Sequence, residues 1–249
     1  LIVREGANTL LPLAQLGGDV IGARLLTFCH IPGPLAAATV IVDVLAQAGT
    51  HFLFALVGFA LVIANGVGDS FIHDLAWALA AAALALTGFY VAQRHGGEKL
   101  LNALLKRLAR GREWQINGTF EAVFRQLHLV YGRRQRLAAT VICHLAIWFI
   151  GACEVWVTLS AMGYDITYAD AVAIESLAQA ARGAAFAVPG GVGVLEGGLV
   201  VLCALYGIPA HSALALALMK RAADLLVGVP GLIAWHTLET RRLAALKRR

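Results

Sequence analysis

Three stretches of this chain, Leu75 to Gln93, Leu137 to Gly163 and Ala210 to His236, are apolar over nearly their whole length. Each approaches or exceeds the ~20 residues that a helix needs to cross the hydrocarbon of a bilayer. Backbone in lipid must be satisfied internally, which leaves helices or closed barrels. The runs lack the strict alternation of barrel strands, so they are read as helices. The fold class predicted is all-α, a polytopic membrane protein. Composition agrees: 59% of the 249 residues are hydrophobic and 14% charged, where a soluble domain carries roughly a quarter charged.

The net charge of +5 would suggest nucleic acid as a partner of a soluble protein. Here the basic residues gather in Arg94 to Arg112, Arg125 to Arg136 and Arg241 to Arg249, while Asn65 to Asp74 and Gly163 to Asp170 contain no Lys or Arg. The positive-inside rule places the first group in the cytoplasm, with the C-terminus; no nucleic acid is expected. The spans then read as 35–64 outward, 75–93 inward, a cytoplasmic surface segment 94–136, and 137–162 outward. Within the surface segment Leu100, Leu101, Leu104, Leu105 and Leu108 recur at helical spacing among Lys99, Lys106, Arg107 and Arg110. That pattern suits either an amphipathic helix on an anionic leaflet or a solvated connector.

From about 164 the chain is outside and must finish inside. Ala171 to Val188 and Gly193 to Tyr206 are each short for a span, and FAVPGGVGVLEGG (Phe186 to Gly198) separates them with a proline and five glycines. Such a segment is a turn. The reading is a re-entrant pair of half-helices, then one full crossing from Ala210 to His236. Irregular backbone at membrane depth persists only where protein buries it or a wet cavity meets it.

Sliding the chain against itself by 177 positions pairs Gly6 to Pro12 with Gly183 to Pro189, Asp19 with Glu196, and Ile31-Pro32 with Ile208-Pro209. Four of the six prolines pair without a gap. Three crossings intervene, so the copies should be inverted: repeat one about 1–64, repeat two about 171–240, within a single transmembrane domain 1–249. Secondary transporters place sites at the midplane of such repeats, and half-helix N-termini there suit an anionic group.

The candidate binding or translocation residues are Asp19, Arg24, Asp43, Arg182, Pro189, Gly190, Gly191, Glu196, Lys220, Arg221 and Asp224. The same offset sets Asp43 opposite Lys220. Charges in mid-membrane need partners. Lys220 and Asp224 are four apart on one helix and are expected to pair, leaving Arg221 for Asp43, Glu196 or a ligand. Two readings stand, a structural ion-pair lock and cations facing a wet cavity. Arg4, Arg24 and Arg182 are anchors or snorkel to the interface. His144 and Glu154 share similar faces of the 137–162 span, for packing or a proton path. Cys29, Cys143, Cys153 and Cys203 are scattered without CxxC, which reads as small apolar filler. No metal or cofactor is expected.

EGANTLLPLAQLGGDVIGARLL (Glu5 to Leu26) and VPGGVGVLEGG (Val188 to Gly198) resemble the two signature regions of the flippase-like membrane domain family, known from the membrane half of lysylphosphatidylglycerol synthases. GGDVIGARLL looks closest to its hopanoid-biosynthesis-associated subgroup. The resemblance covers Glu5 to about Pro230 and implies a bacterial inner-membrane protein that moves or deploys a modified lipid. It also implies helices upstream of Leu1. The ten residues after Glu239 are too few for the synthases' soluble domain, so transferase activity is not carried over.

Three functions are weighed. The first is a lipid translocator without a nucleotide motif, with Asp19, Glu196 or Asp224 as proton carriers. The second is an intramembrane headgroup-modifying enzyme with Glu196 or Asp19 as base. The third is a scaffold that recruits lipid-biosynthesis enzymes through 94–136. No nucleophile and base stand together, so the expectation is a protein that is not an enzyme and whose partner is a membrane lipid.

Overall fold

A computed structural model of the chain describes residues 3, 4, 6, 7, 17–66, 69–95, 117–185 and 191–247. Among them are eight long helices and no strand: α1 (Gly17–Phe28), α2 (Gly33–Ala64), α3 (Asp69–His95), α4 (Asn117–Tyr131), α5 (Arg134–Ala161), α6 (Tyr168–Ala184), α7 (Val194–Leu205) and α8 (Ala210–Lys247). The amphipathic run Leu100 to Arg110, and Pro12, Pro189 and Gly190 at the two breaks, lie outside the described residues.

α2 with 32 residues and α5 with 28 are long and apolar enough to cross a bilayer; at 1.5 Å per residue they reach about 48 and 42 Å, against ~30 Å of hydrocarbon. The expected crossing at 75–93 lies inside α3, whose most apolar portion is the shorter Leu75–Gly88. The helix of the crossing expected over Ala210 to His236 runs on beyond His236. α8 continues as one helix to Lys247, through Pro230, so the basic tail prolongs a helix. α6 and α7, with 17 and 12 residues, reach only about 25 and 18 Å, each short of the hydrocarbon thickness.

The chain divides into two compact units: Leu26–Gly151, and Leu1–Leu25 with Ala152–Arg249. In the first, α4 carries Val123, Phe124, Leu127 and Val130 at helical spacing, and this stripe packs on Ala38, Ile41 and Val42 of α2. Leu127, Ala38 and Val42 are buried there. Residues 117–131 of the expected surface segment therefore spend an apolar face on a neighbouring helix. α5 joins α2 through Trp148, which stacks on His51 at 4.5 Å and donates to the buried Thr50 hydroxyl at 3.3 Å.

In the other unit α6 and α7 pack against each other, and α7 against α8. A Cβ on Gly198 would stand 3.8 Å from the Ala178 Cα, so small residues set the α6–α7 spacing. Residues 171 to 178 of α6 are all buried, α7 buries Leu195, Leu199 and Leu202, and α8 buries Ala213, Leu216, Ala217 and Lys220. The last set follows the i, i+3, i+4, i+7 spacing of one helix face. Much of the remaining surface is apolar, with Leu226 77% and Leu218 70% exposed. Apolar side chains left outside on this scale fit lipid as the surrounding solvent.

Local structure recurs at the 177-residue offset. α1 and α7 have corresponding limits, as do the starts of α2 and α8. Cys29 N–H donates to Leu26 O and His30 N–H to Thr27 O; Tyr206 N–H donates to Cys203 O and Gly207 N–H to Ala204 O, in the same positions. His30 at φ +61° matches Gly207 at φ +72°, and His30 is the only non-glycine with positive φ among the described residues. Pro32 O then accepts from Ala36 N–H, and Pro209 O from Ala213 N–H. A left-handed residue stops each short helix, and a proline at N-cap starts the long one.

Candidate functional site: ion pairs converging on helix α8

The ends of α6 and α7 are fixed locally. Thr167 caps α6, accepting from Asp170 N–H at 3.2 Å while the Asp170 carboxylate accepts from Thr167 N–H at 2.9 Å, a reciprocal capping box. At the break, Gly191 and Gly193 adopt φ of +62° and +83°, which a side chain would strain. A Cβ on Gly191 would also meet Arg182 Cγ at 2.7 Å, so the glycine lets the arginine stem lie over the turn. Glu196 then reaches back: its Oε2 accepts from Gly193 N–H at 2.7 Å. The acid beside the break is there in part to satisfy an orphan donor at the start of α7.

The other Glu196 oxygen, Oε1, accepts from Arg221 Nε at 2.9 Å. Arg221 Nη1 lies 4.0 Å from Asp224 Oδ2, and Arg182 Nη2 approaches the same oxygen at 3.7 Å. One turn of α8 thereby gathers the last turn of α6 and the first turn of α7. The expected Lys220–Asp224 pair does not form. Lys220 Nζ instead donates to Glu175 Oε1 of α6 at 3.0 Å and to Glu154 Oε2 of α5 at 3.4 Å. The reason is burial: the Glu175 side chain is 2% exposed and cannot draw on water, whereas the more accessible Asp224 has two arginines beside it. Lys220 itself is buried.

The remaining candidates divide by place. Asp19, in the first turn of α1, meets Arg4 at 2.6 Å. Arg24 reaches Glu239 on α8, so it is tied to another helix where snorkelling alone was the bland reading. Asp43 belongs to the other unit, where it lies 3.1 Å from Nε2 of His144. Arg221, expected to meet Asp43, Glu196 or a ligand, has Glu196. The sequence reading missed Glu175 altogether. Its signal was a single acid inside the otherwise uncharged run Ala171 to Ala181, in a segment already assigned to the membrane, where an ionisable residue is a functional candidate by default. Around α8 the cations Lys220, Arg221 and Arg182 face the carboxylates of Glu154, Glu175, Glu196 and Asp224, one more acid than base.

A family described as the lysylphosphatidylglycerol synthase TM region matches residues 2–231, nearly the whole chain. The chain belongs to that family. It is a membrane protein tied to lipid handling, and its apolar helices α2 and α5 accord with a membrane location. No match was found among curated proteins or among solved structures.

Proposed function

We propose that this member of the family is a lipid translocator of the bacterial inner membrane, with its C-terminus in the cytoplasm, and not an enzyme. The observation that carries the reading is the junction at the α6–α7 break. A glycine turn between two helices too short to span is held to α8 by Arg182, Arg221, Glu196 and Asp224. In this reading the pairs lie at membrane depth, where ionisable side chains mark substrate pathways and a buried ion pair is weak evidence for stability. Two re-entrant hairpins in inverted repeats, about 1–64 and 171–240, would bring such junctions together. The matching stops and starts at Leu26–Ala36 and Cys203–Ala213 support a repeat, and residues 1–25 and the whole second copy share one compact unit.

In this reading a headgroup phosphate exchanges with Glu196 and Asp224 for the guanidinium groups of Arg221 and Arg182, a bidentate recognition that arginine suits. The cargo in this reading is a modified or anionic lipid, and GGDVIGARLL points to a hopanoid-related one. The lipid tail stays in the bilayer.

The test uses phosphatidylcholine vesicles holding the purified protein and a trace of phosphatidylglycerol with a fluorescent tail, bleached from outside. Wild-type protein should expose more than half of the probe, Arg221→Ala and Arg182→Ala should slow exposure at least tenfold, and mass spectrometry should find the probe unaltered. Exposure no faster than in protein-free vesicles, with or without hopanoid present, would sink the reading; a chemically changed headgroup would favour an enzyme.

A further inference from the structure

At the corner between α4 and α5 three arginines fall within four residues, Arg133, Arg134 and Arg136. With Gly132 and Gln135 they line a cleft of about 480 Å³, within the ~300–1,000 Å³ of small-molecule sites. All five residues are exposed, and none of the three guanidinium groups has a partner among the described residues. The corner is held at both ends. Val130 and Tyr131 before it and Leu137 after it pack on Ala38, Val42 and Leu127, and Arg133 O accepts from Arg136 N–H at 3.0 Å and Leu137 N–H at 3.1 Å. Tyr131 also meets Tyr90 near the end of α3, with ring centroids 6.2 Å apart. Because α5 is long and apolar enough to cross a bilayer, a charged corner in its first turn stands where the span meets water, the level at which tyrosine is also enriched.

The positive charge there is uncompensated twice over. The first turn of α5 contains no acid, and neither does any position from 122 to 153. A helix N-terminus carries a partial positive charge of its own, so the dipole and the guanidinium groups repel one another instead of cancelling. Keeping a loop on one side of a membrane needs only cations near the span, and lysine would serve. The corner has arginine at all three positions, and the planar guanidinium fork matches phosphate oxygens two at a time.

We propose that this corner binds the phosphate of an anionic phospholipid from the leaflet at that end, as a resident lipid distinct from any cargo at the α8 junction. The phosphodiester supplies the negative charge that the turn lacks. Its oxygens accept from Arg133 and Arg136, which are three apart and lie on one side of the turn, and from Arg134 between them. The lipid tails lie along the outer surface of α5, where Ile142, Ile147 and Ile150 are exposed; a free phosphate would use the arginines and leave that apolar surface bare. The corner belongs to the compact unit Leu26–Gly151, which does not contain the α8 junction, so the inference holds whichever lipid is carried, or if none is.

The test is native mass spectrometry of the whole protein in detergent, titrated with phosphatidylglycerol or with phosphatidylcholine of the same chains. Wild-type protein should bind phosphatidylglycerol about tenfold more tightly than phosphatidylcholine. Replacing Arg133, Arg134 and Arg136 together by Gln should remove one tightly bound phosphatidylglycerol, whereas Arg182→Ala with Arg221→Ala should keep it. Replacing the same three by Lys, which keeps the charge and removes the fork, should weaken that lipid by about threefold or more, and this variant decides the matter should the glutamine one not fold. Glycerol phosphate, the headgroup without tails, should fail to displace the lipid at equal concentration. Equal binding of the two lipids by wild-type protein overturns the proposal. So does an unchanged count in the glutamine variant, wild-type affinity in the lysine variant, loss of the lipid from the Arg182–Arg221 variant, or displacement by glycerol phosphate, which would assign the cleft to a soluble phosphate. None of these outcomes involves lipid movement.

Discussion

Replacing Lys220 by Met is the sharpest test of the buried pairing. Methionine keeps a similar length and removes the charge, so packing among Ala213, Leu216 and Ala217 changes little. Lys220 and Glu175 are 3.0 Å apart; at an effective dielectric of about 20 their attraction is about 5.5 kcal/mol. The contact to Glu154 at 3.4 Å is weaker than distance alone suggests, because that side chain is more than a third exposed and screened. Desolvating the ammonium offsets part of the gain, and removing one member of a buried pair typically costs about 3–5 kcal/mol. Lys220→Met should therefore lose about 4 kcal/mol in unfolding by graded SDS in mixed micelles at pH 8. The loss arises because Lys220→Met leaves the Glu175 carboxylate buried without its cation. Adding Glu175→Gln removes the stranded charge and should bring stability back to within about 1 kcal/mol of wild type. A Lys220→Met loss below about 1 kcal/mol, or one that Glu175→Gln does not relieve, would refute the argument.

Other expectations follow from single contacts. His30→Gly should stabilise by about 0.5–1 kcal/mol and Gly207→Ala should destabilise by about 1 kcal/mol, read by thermal unfolding, because both positions hold positive φ. Gly6→Ala should cost about 1–3 kcal/mol, since its Cβ would lie 2.5 Å from the Gly228 carbonyl oxygen, a backbone atom with little room to yield. Leu127→Ala should cost about 2–5 kcal/mol by opening a cavity between α4 and α2, with the loss seen in the same unfolding assay.

Much of the architecture was legible in the chain itself. Run length and the scarcity of charge separate a lipid-embedded helical protein from a soluble one, because hydrocarbon offers no partner to a bare peptide group. Pro189 with its glycines marks where α6 cannot run on into α7, and the 177-residue offset picked out the stops and starts that share the same backbone hydrogen bonds. The same offset set Lys220 opposite Asp43 and drew notice to it as a charge within a span. What spacing could not supply was the identity of the facing helix. Periodicity records which side of a helix is turned inward; the partner waiting there is fixed by how the helices dock. Lys220 and Asp224 looked paired because they are one turn apart, yet Lys220 meets acids 45 and 66 residues away. Glu175 drew no notice in the sequence, and Glu196 drew it for its charge, while its helix-capping bond to Gly193 emerged only with the fold. The tertiary structure decided these matters because a buried charge takes the partner that best replaces water, and only packing determines which one is within reach.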